Sequence, residues 1–333
     1  MIEVRMYAED LRETWDAFVA DSRNGTLFHT RRFLSYHPEG RFEDRSLLFF
    51  AGNRLLAVLP AVSVLDGTKK SLRAHAGSTY GGLVLSPRCS AAATCDVVAA
   101  LLAFLHSQNF ANAEFLRLTP APLRRRFSDD QEYALLMQGF VVSRCELGSI
   151  IDLHGFTEDT LLSAFDTECR NEARQAGRAG VTVCTSDDYG AFYPLLEATL
   201  KHRHAVKPTH TLSELRHVAS LFPKAMRLFG AFHDGKLIAG MVTLDVTEQT
   251  IYTKYIAQNY AFQKMRPVNL LITEVLRHAL REGKVILDLG VSMDEESPKG
   301  INEGLIAFKE GFGARPVRRE SWEVRFDEVR ATP

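Results

Sequence analysis

The apolar positions of this chain fall into short runs separated by glycine, asparagine and aspartate. Two of these runs form the same pattern far apart. Ser46-Leu-Leu-Phe-Phe50 is followed by Ala51-Gly52-Asn53 and then by Arg54-Leu-Leu-Ala-Val-Leu59. Leu228-Phe-Gly-Ala-Phe232 is followed by His233-Asp234-Gly235 and then by Lys236-Leu-Ile-Ala-Gly-Met241. Both predict a β-hairpin, because two apolar runs flank residues that tolerate a tight turn. At an offset of 182, Phe50 meets Phe232, Arg54 meets Lys236, Leu55 meets Leu237 and Ala57 meets Ala239.

The segments after each hairpin also agree. A third strand is predicted at Gly82–Leu85 in the first half and at Thr250–Ile256 in the second. A helix follows each, over about Ala91–Ser107 and from Pro267 onward. Proline suits a first helical turn because its missing N–H has no partner there anyway. Val268, Leu271, Val275 and Ala279 recur at helical spacing, and Gly283 provides a stop. Each helix leads to a short apolar strand, Phe115–Leu118 and Val285–Leu289. The pattern predicts two copies of one α/β unit, in the α+β sense of a mixed sheet flanked by helices. The copies are assigned to residues 1–150 and 151–314. The second copy has a predicted helical preface from Glu158 to Ala176, with Leu162, Phe165, Cys169, Ala173 and Ala176 as its apolar stripe. A further helix is expected over Asp187–Leu200, a short one over Ile301–Phe312, and a last strand over Val317–Arg325.

Composition narrows the class. With 46% hydrophobic and 24% charged residues, the 333-residue chain is an ordinary globular protein and not a disordered or fibrous one. Its longest unbroken apolar run, Val97–Leu105, is far short of a membrane span. The first ten residues, MIEVRMYAED, carry acids where a secretory signal has an apolar core, so a cytoplasmic location is expected. The net charge of −1 removes the global basic footprint of a dedicated nucleic-acid binder. Five cysteines without a CxxC or Cys/His spacing predict free thiols, and no metal. No GxSxG, Walker, GxGxxG or HExxH motif is present.

Three strands, a helix, a strand and a helix ending in Phe308-Lys309-Glu310-Gly311-Phe312-Gly313 resemble the GNAT acyltransferase unit. Two such units in tandem resemble the FemAB-type transferases and related tandem-GNAT acyltransferases. The segments Thr26–Thr30, Thr79–Gly82, Arg170–Arg174, Asp288–Gly290 and Gly304–Gly313 carry the likeness over nearly the whole chain. It implies two tandem GNAT-like units, the last strand (315–330) often completing the first, with the acceptor held between them. It also implies transfer of an activated acyl group to an amine of a cell-wall, polysaccharide or natural-product precursor. The donor would be an aminoacyl-tRNA or an acyl-CoA, with no tightly bound cofactor. An acyl-CoA-dependent acetyltransferase of amino sugars and a non-catalytic sugar or peptide binder are the alternatives.

The candidate residues follow from this chemistry. In ordinary GNAT enzymes a glycine-rich nest of N–H groups before the helix holds the coenzyme pyrophosphate. Here that position reads Gln263-Lys264-Met265-Arg266-Pro267, without glycine. This favours an aminoacyl donor and leaves Lys264 and Arg266 as side-chain contacts to phosphate. Lys309 matches the lysine of the family's Phe-Lys pair and is assigned to the developing oxyanion, with Phe308 beside the substrate. Asp288, at a strand end, and His204 are candidate bases for the attacking amine. Arg203 joins His204 in the acid-free stretch Lys201–His210, which suits an anionic ligand. Tyr80 and Gly81 are placed against the acceptor. Arg170 and Arg174, in a stripe with Arg178 at four-residue spacing, form an anion-binding edge or a solvated face. His29 and His75 read as core or turn histidines, and Arg124-Arg125-Arg126 as a solvated loop.

Overall fold

The computed structural model describes residues 1–204 and 206–326, with the side chains of Arg203 and His204 outside the described set. It contains two compact units, Met1–Glu146 with Arg318–Pro333, and Leu147–Val317. Each is built of β-strands flanked by helices.

The first unit holds β1 (Glu3–Met6), α1 (Arg12–Asp21), α2 (Arg31–Leu34), β2 (Glu43–Asp44), β3 (Leu47–Ala51), β4 (Arg54–Leu59), β5 (Val62–Asp66), β6 (Lys69–Ala74), β7 (Val84–Leu85), α3 (Ala91–Ser107), β8 (Asn112–Phe115) and α4 (Asp130–Met137). β1, β3, β4 and β7 form one antiparallel sheet. β6 pairs with β8 in parallel and with β5 antiparallel. α3 begins at Ser90, whose hydroxyl caps Ala93 N–H, and buries Val97, Val98, Leu101 and Leu105 on the strands. The expected third strand of this half is shorter than predicted, and the hairpin β5–β6 intervenes before it.

In the second unit, β9 (Val141–Asp152) enters from the first and is followed by α5 (Thr167–Arg178), β10 (Thr182–Ser186), α6 (Tyr189–His204), α7 (Leu212–Leu221), β11 (Met226–His233), β12 (Lys236–Asp245), β13 (Thr250–Gln258), α8 (Pro267–Arg281), β14 (Ile286–Val291), α9 (Glu303–Gly311) and β15 (Arg315–Arg325). The strand order is β10-β11-β12-β13-β14-β9, and only β13 and β14 run parallel. α8 buries Leu271, Ile272, Val275, Leu276 and Ala279 against Phe229, Ala231, Ile238 and Met241. β15 carries the chain back, and its Trp322–Arg325 end pairs with β8.

The predicted preface helix of the second unit is interrupted. A short turn at Leu161–Ser163 precedes α5, which starts only at Asp166, where the carboxylate accepts from Cys169 N–H at 2.7 Å. A capping aspartate ends the earlier turn and starts a new helix, because it satisfies an N–H that a continuous helix would bond to its own backbone.

The two hairpins agree in register as well as in sequence. Phe50 faces Leu55 and Ala51 faces Arg54 in one, while Phe232 faces Leu237 and His233 faces Lys236 in the other. Both carry a bulge at equivalent places, between Phe49 and Phe50 and between Ala231 and Phe232.

Candidate active site

The parallel strands β13 and β14 pair only over Thr250–Tyr252 and Ile286–Asp288. Beyond that point β13 continues to Gln258 against β12, while β14 shifts register after Asp288 and pairs Val291 with Gly148. The two strands therefore separate at their C-terminal ends. Gly290 makes this departure possible, because its φ of +74° lies where an L side chain is strained.

Two candidate residues bond the backbone of Gly290 at this bulge. Asp288 is fully buried, and its Oδ1 accepts from Gly290 N–H at 2.9 Å. Lys309 comes from α9, whose first turn is capped by Asn302. It is 5% exposed, and its Nζ donates to Gly290 O at 3.0 Å, Val291 O at 3.1 Å and Ser292 Oγ at 2.8 Å. An ammonium has three N–H donors, and three acceptors on the outgoing strand meet them. Lys309 thus fixes the backbone of the bulge and brings a positive charge to it. Phe308 is half-buried and packs against the core, its ring 5.2 Å from Phe312 in an edge-on contact.

Three N–H groups of the segment between β13 and α8 are bonded within it. Ala261 N–H donates to Asn259 Oδ1, Phe262 N–H to Asn259 O and Arg266 N–H to Gln263 O. Arg266 lies in the left-handed region at φ +58° and pairs through Nε with Glu172 Oε1 at 2.9 Å. Glu172 also accepts from Asn269 Nδ2 at 2.9 Å. Lys264 is exposed, and its carbonyl accepts from Gln175. The loop is therefore tied to α5, the helix that carries Arg170 and Arg174. Arg170 is half-buried with a 3.3 Å bond to Thr167 Oγ1, and Arg174 is exposed.

The expected roles of Tyr80 and Gly81 need correction. Tyr80 is fully buried, with its ring edge-on to Phe28 at 5.7 Å, so it has no free face for a sugar. Gly81 is required by close backbone packing, since a Cβ there would lie 1.9 Å from Ala74 O. Two of the three arginines in the run are engaged by the protein, while Arg126 is exposed. Arg124 has a side chain only 6% exposed, paired with Glu132, and Arg125 donates to Gly25 O at 2.7 Å. His204 and Arg203 have side chains that lie outside the described residues.

Sequence reasoning missed the polar cluster that covers the free half of β13. Thr199 Oγ1 accepts from Gln258 N–H at 3.1 Å, His210 Nδ1 bonds Tyr255 Oη at 2.8 Å, and Tyr193 Oη donates to His210 O. Burial pushes the Tyr255 hydroxyl up to about 12, so it stays protonated at neutral pH. His202 packs its ring 4.4 Å from Tyr260 of the loop. The only signal in the sequence was the density of histidine between 202 and 210. Among the described residues, no group of three metal-binding side chains is assembled, and no helix is long and apolar enough to cross a membrane.

Residues 163–297 match the family model of the acetyltransferase (GNAT) domain. The splayed parallel pair and the helix between its strands lie inside this span. The fold as a whole is that of FemAB-like tandem-GNAT acyltransferases. The crystal structure of FemX is similar over 98% of both chains, with a TM-score of 0.77 at 13% identity. A tandem GNAT protein from the clavulanic acid biosynthesis pathway also covers 98% of both chains, at a TM-score of 0.57 and 15% identity. L-PGS from Bacillus licheniformis covers 85% of this chain and 84% of its own, at 0.55 and 12%. No curated protein matches the chain by sequence.

Proposed function

We propose that the chain forms an amide by transferring an aminoacyl or acyl group to an amine of a cell-wall, polysaccharide or natural-product precursor. The observation that carries this reading is that Lys309 and Asp288 both bond the backbone of Gly290, at the bulge where β14 leaves β13. An amine attacking an activated ester or thioester needs positive charge near the developing oxyanion and an acceptor for its proton. Lys309 supplies the charge and holds the bulge in place, and Asp288 or His204 takes the proton. As the tetrahedral adduct collapses, the donor's acyl ester or thioester bond breaks and the tRNA hydroxyl or coenzyme thiol leaves with the proton returned by the base, so no covalent enzyme intermediate is required.

The donor loop supports aminoacyl-tRNA over acyl-CoA. Three of its amides, those of Ala261, Phe262 and Arg266, are engaged within the loop, and Pro267 contributes none, which leaves fewer backbone donors for a pyrophosphate. Arg170, Arg174 and Lys264 lie on α5 and the loop tied to it, and contact the anionic part of donor or acceptor as side chains.

The test is to incubate the purified chain with charged tRNA or acetyl-CoA and with amino-sugar or muropeptide acceptors, and to identify products by mass spectrometry. Amide product is expected, and Lys309→Met should lower turnover about 100-fold or more. Tight acceptor binding without product from any pairing would establish a binder instead of an enzyme. Near-normal turnover by Lys309→Met would remove lysine from the mechanism.

A further inference from the structure

We propose that the first unit carries a separate small-molecule site for a short organic carboxylate of about two to four carbons. It shares no residue with the β14–α9 cluster and does not depend on the acyl-transfer reading. The site is an open pocket of about 60 Å³ where the ends of β1 and α3 meet the starts of β3 and β6. Leu47, Leu72 and Phe110 are its buried apolar floor. Met6 and Phe104 form the sides, and Arg45 and Lys70 bring two positive charges. Among the described residues no carboxylate lines it.

Both cations have capacity for a ligand. Glu43 pairs with Nη2 of Arg45, and Nη1 makes no hydrogen bond or ion pair among the described residues. A carboxylate is the acceptor that best fits a guanidinium N–H. Lys70 Nζ stands 4.2 Å from the centre of the Phe110 ring, with no ion-pair partner among the described residues. Size and floor select the anion. Benzene fits an apolar cavity of about 150 Å³, so this pocket takes a smaller body. Each methylene laid on the floor should add about fourfold in affinity, which an inorganic anion cannot gain.

The full chain can be titrated at constant ionic strength with acetate, propionate, propionamide and inorganic phosphate, with binding followed by NMR shifts. Saturable binding of propionate is expected, about fourfold tighter than acetate, with no saturation by propionamide and no competition from phosphate. Arg45→Gln and Lys70→Met should each weaken propionate about tenfold. If Arg45→Gln fails to fold, Lys70→Met decides alone, because its unbranched stem preserves the contact with Phe110. Equal binding of propionamide, equal competition by phosphate, absence of saturation, or undiminished binding by folded Lys70→Met would each overturn the proposal.

Discussion

Lys309 and the buried histidines show how much a single side chain depends on its surroundings. His29 is fully enclosed, with Nδ1 facing Thr26 N–H at 3.0 Å, and burial lowers its pKa from 6.5 to about 4. His75 is lowered to about 4 for the same reason. The unfolded chain therefore binds more protons than the folded one between pH 6.5 and pH 4. Stability should be fully present above pH 6.5 and fall as the pH drops through that window. Each histidine should cost about 2 kcal/mol between pH 6.5 and pH 5, measured by urea unfolding. Gly81 gives a second residue-scale test. Its missing Cβ would meet Ala74 O and Leu116 O, so Gly81→Ala should lose about 3 kcal/mol in the same assay. Tyr80 and Gly81 looked like a ligand platform in the sequence, since a Gly-Gly pair beside an aromatic reads equally as turn, close packing or binding loop. Only their neighbours decide which.

The elements depend on one another at their ends. α5 starts where Asp166 caps Cys169, and Asp166 N–H donates to Gly311 O at the end of α9. A Cβ on Gly311 would stand 2.5 Å from Cys169 Sγ. Asp166→Ala should therefore cost about 1 kcal/mol by loss of the cap. Gly311→Ala should cost about 2 kcal/mol by forcing the two helices apart. Thermal unfolding of both variants would check this, with the double variant less than additive because the sites touch. Since α9 also carries Lys309, Gly311→Ala should lower acyl transfer more than Asp166→Ala does. The helical period of α8 was readable because it has one apolar face, with Pro267 at its start and Gly283 at its stop. The break before α5 was not, since an acid near a helix start reads alike as dipole partner and as cap.

At the scale of the whole molecule, the first unit is closed by the far end of the chain. Trp322 and Val324 of β15 belong to its core, opposite Phe115 and Ala113 of β8. Ending the chain after Val317 would strip β8 of that neighbour and expose an edge strand. The shortened chain should aggregate or be cut by protease within residues 1–146, while Leu147–Val317 resists longer. Limited proteolysis with mass spectrometry would show the difference.

The two matching hairpins, the helices that follow them and the doubling of one unit were legible in local pattern. Periodicity, turn residues and caps act over a few positions, and the hairpin repeat preserves even the place of its bulge. Tertiary structure alone decided which side chains meet. Asp288 and Lys309 are 21 positions apart in the chain and converge because β14 bends at Gly290 and α9 folds back on it. Arg124 is buried and paired instead of solvated, and Arg266 is drawn to Glu172 on another helix. Charge, burial and pairing are properties of neighbours in space, and a sequence lists only neighbours along the chain.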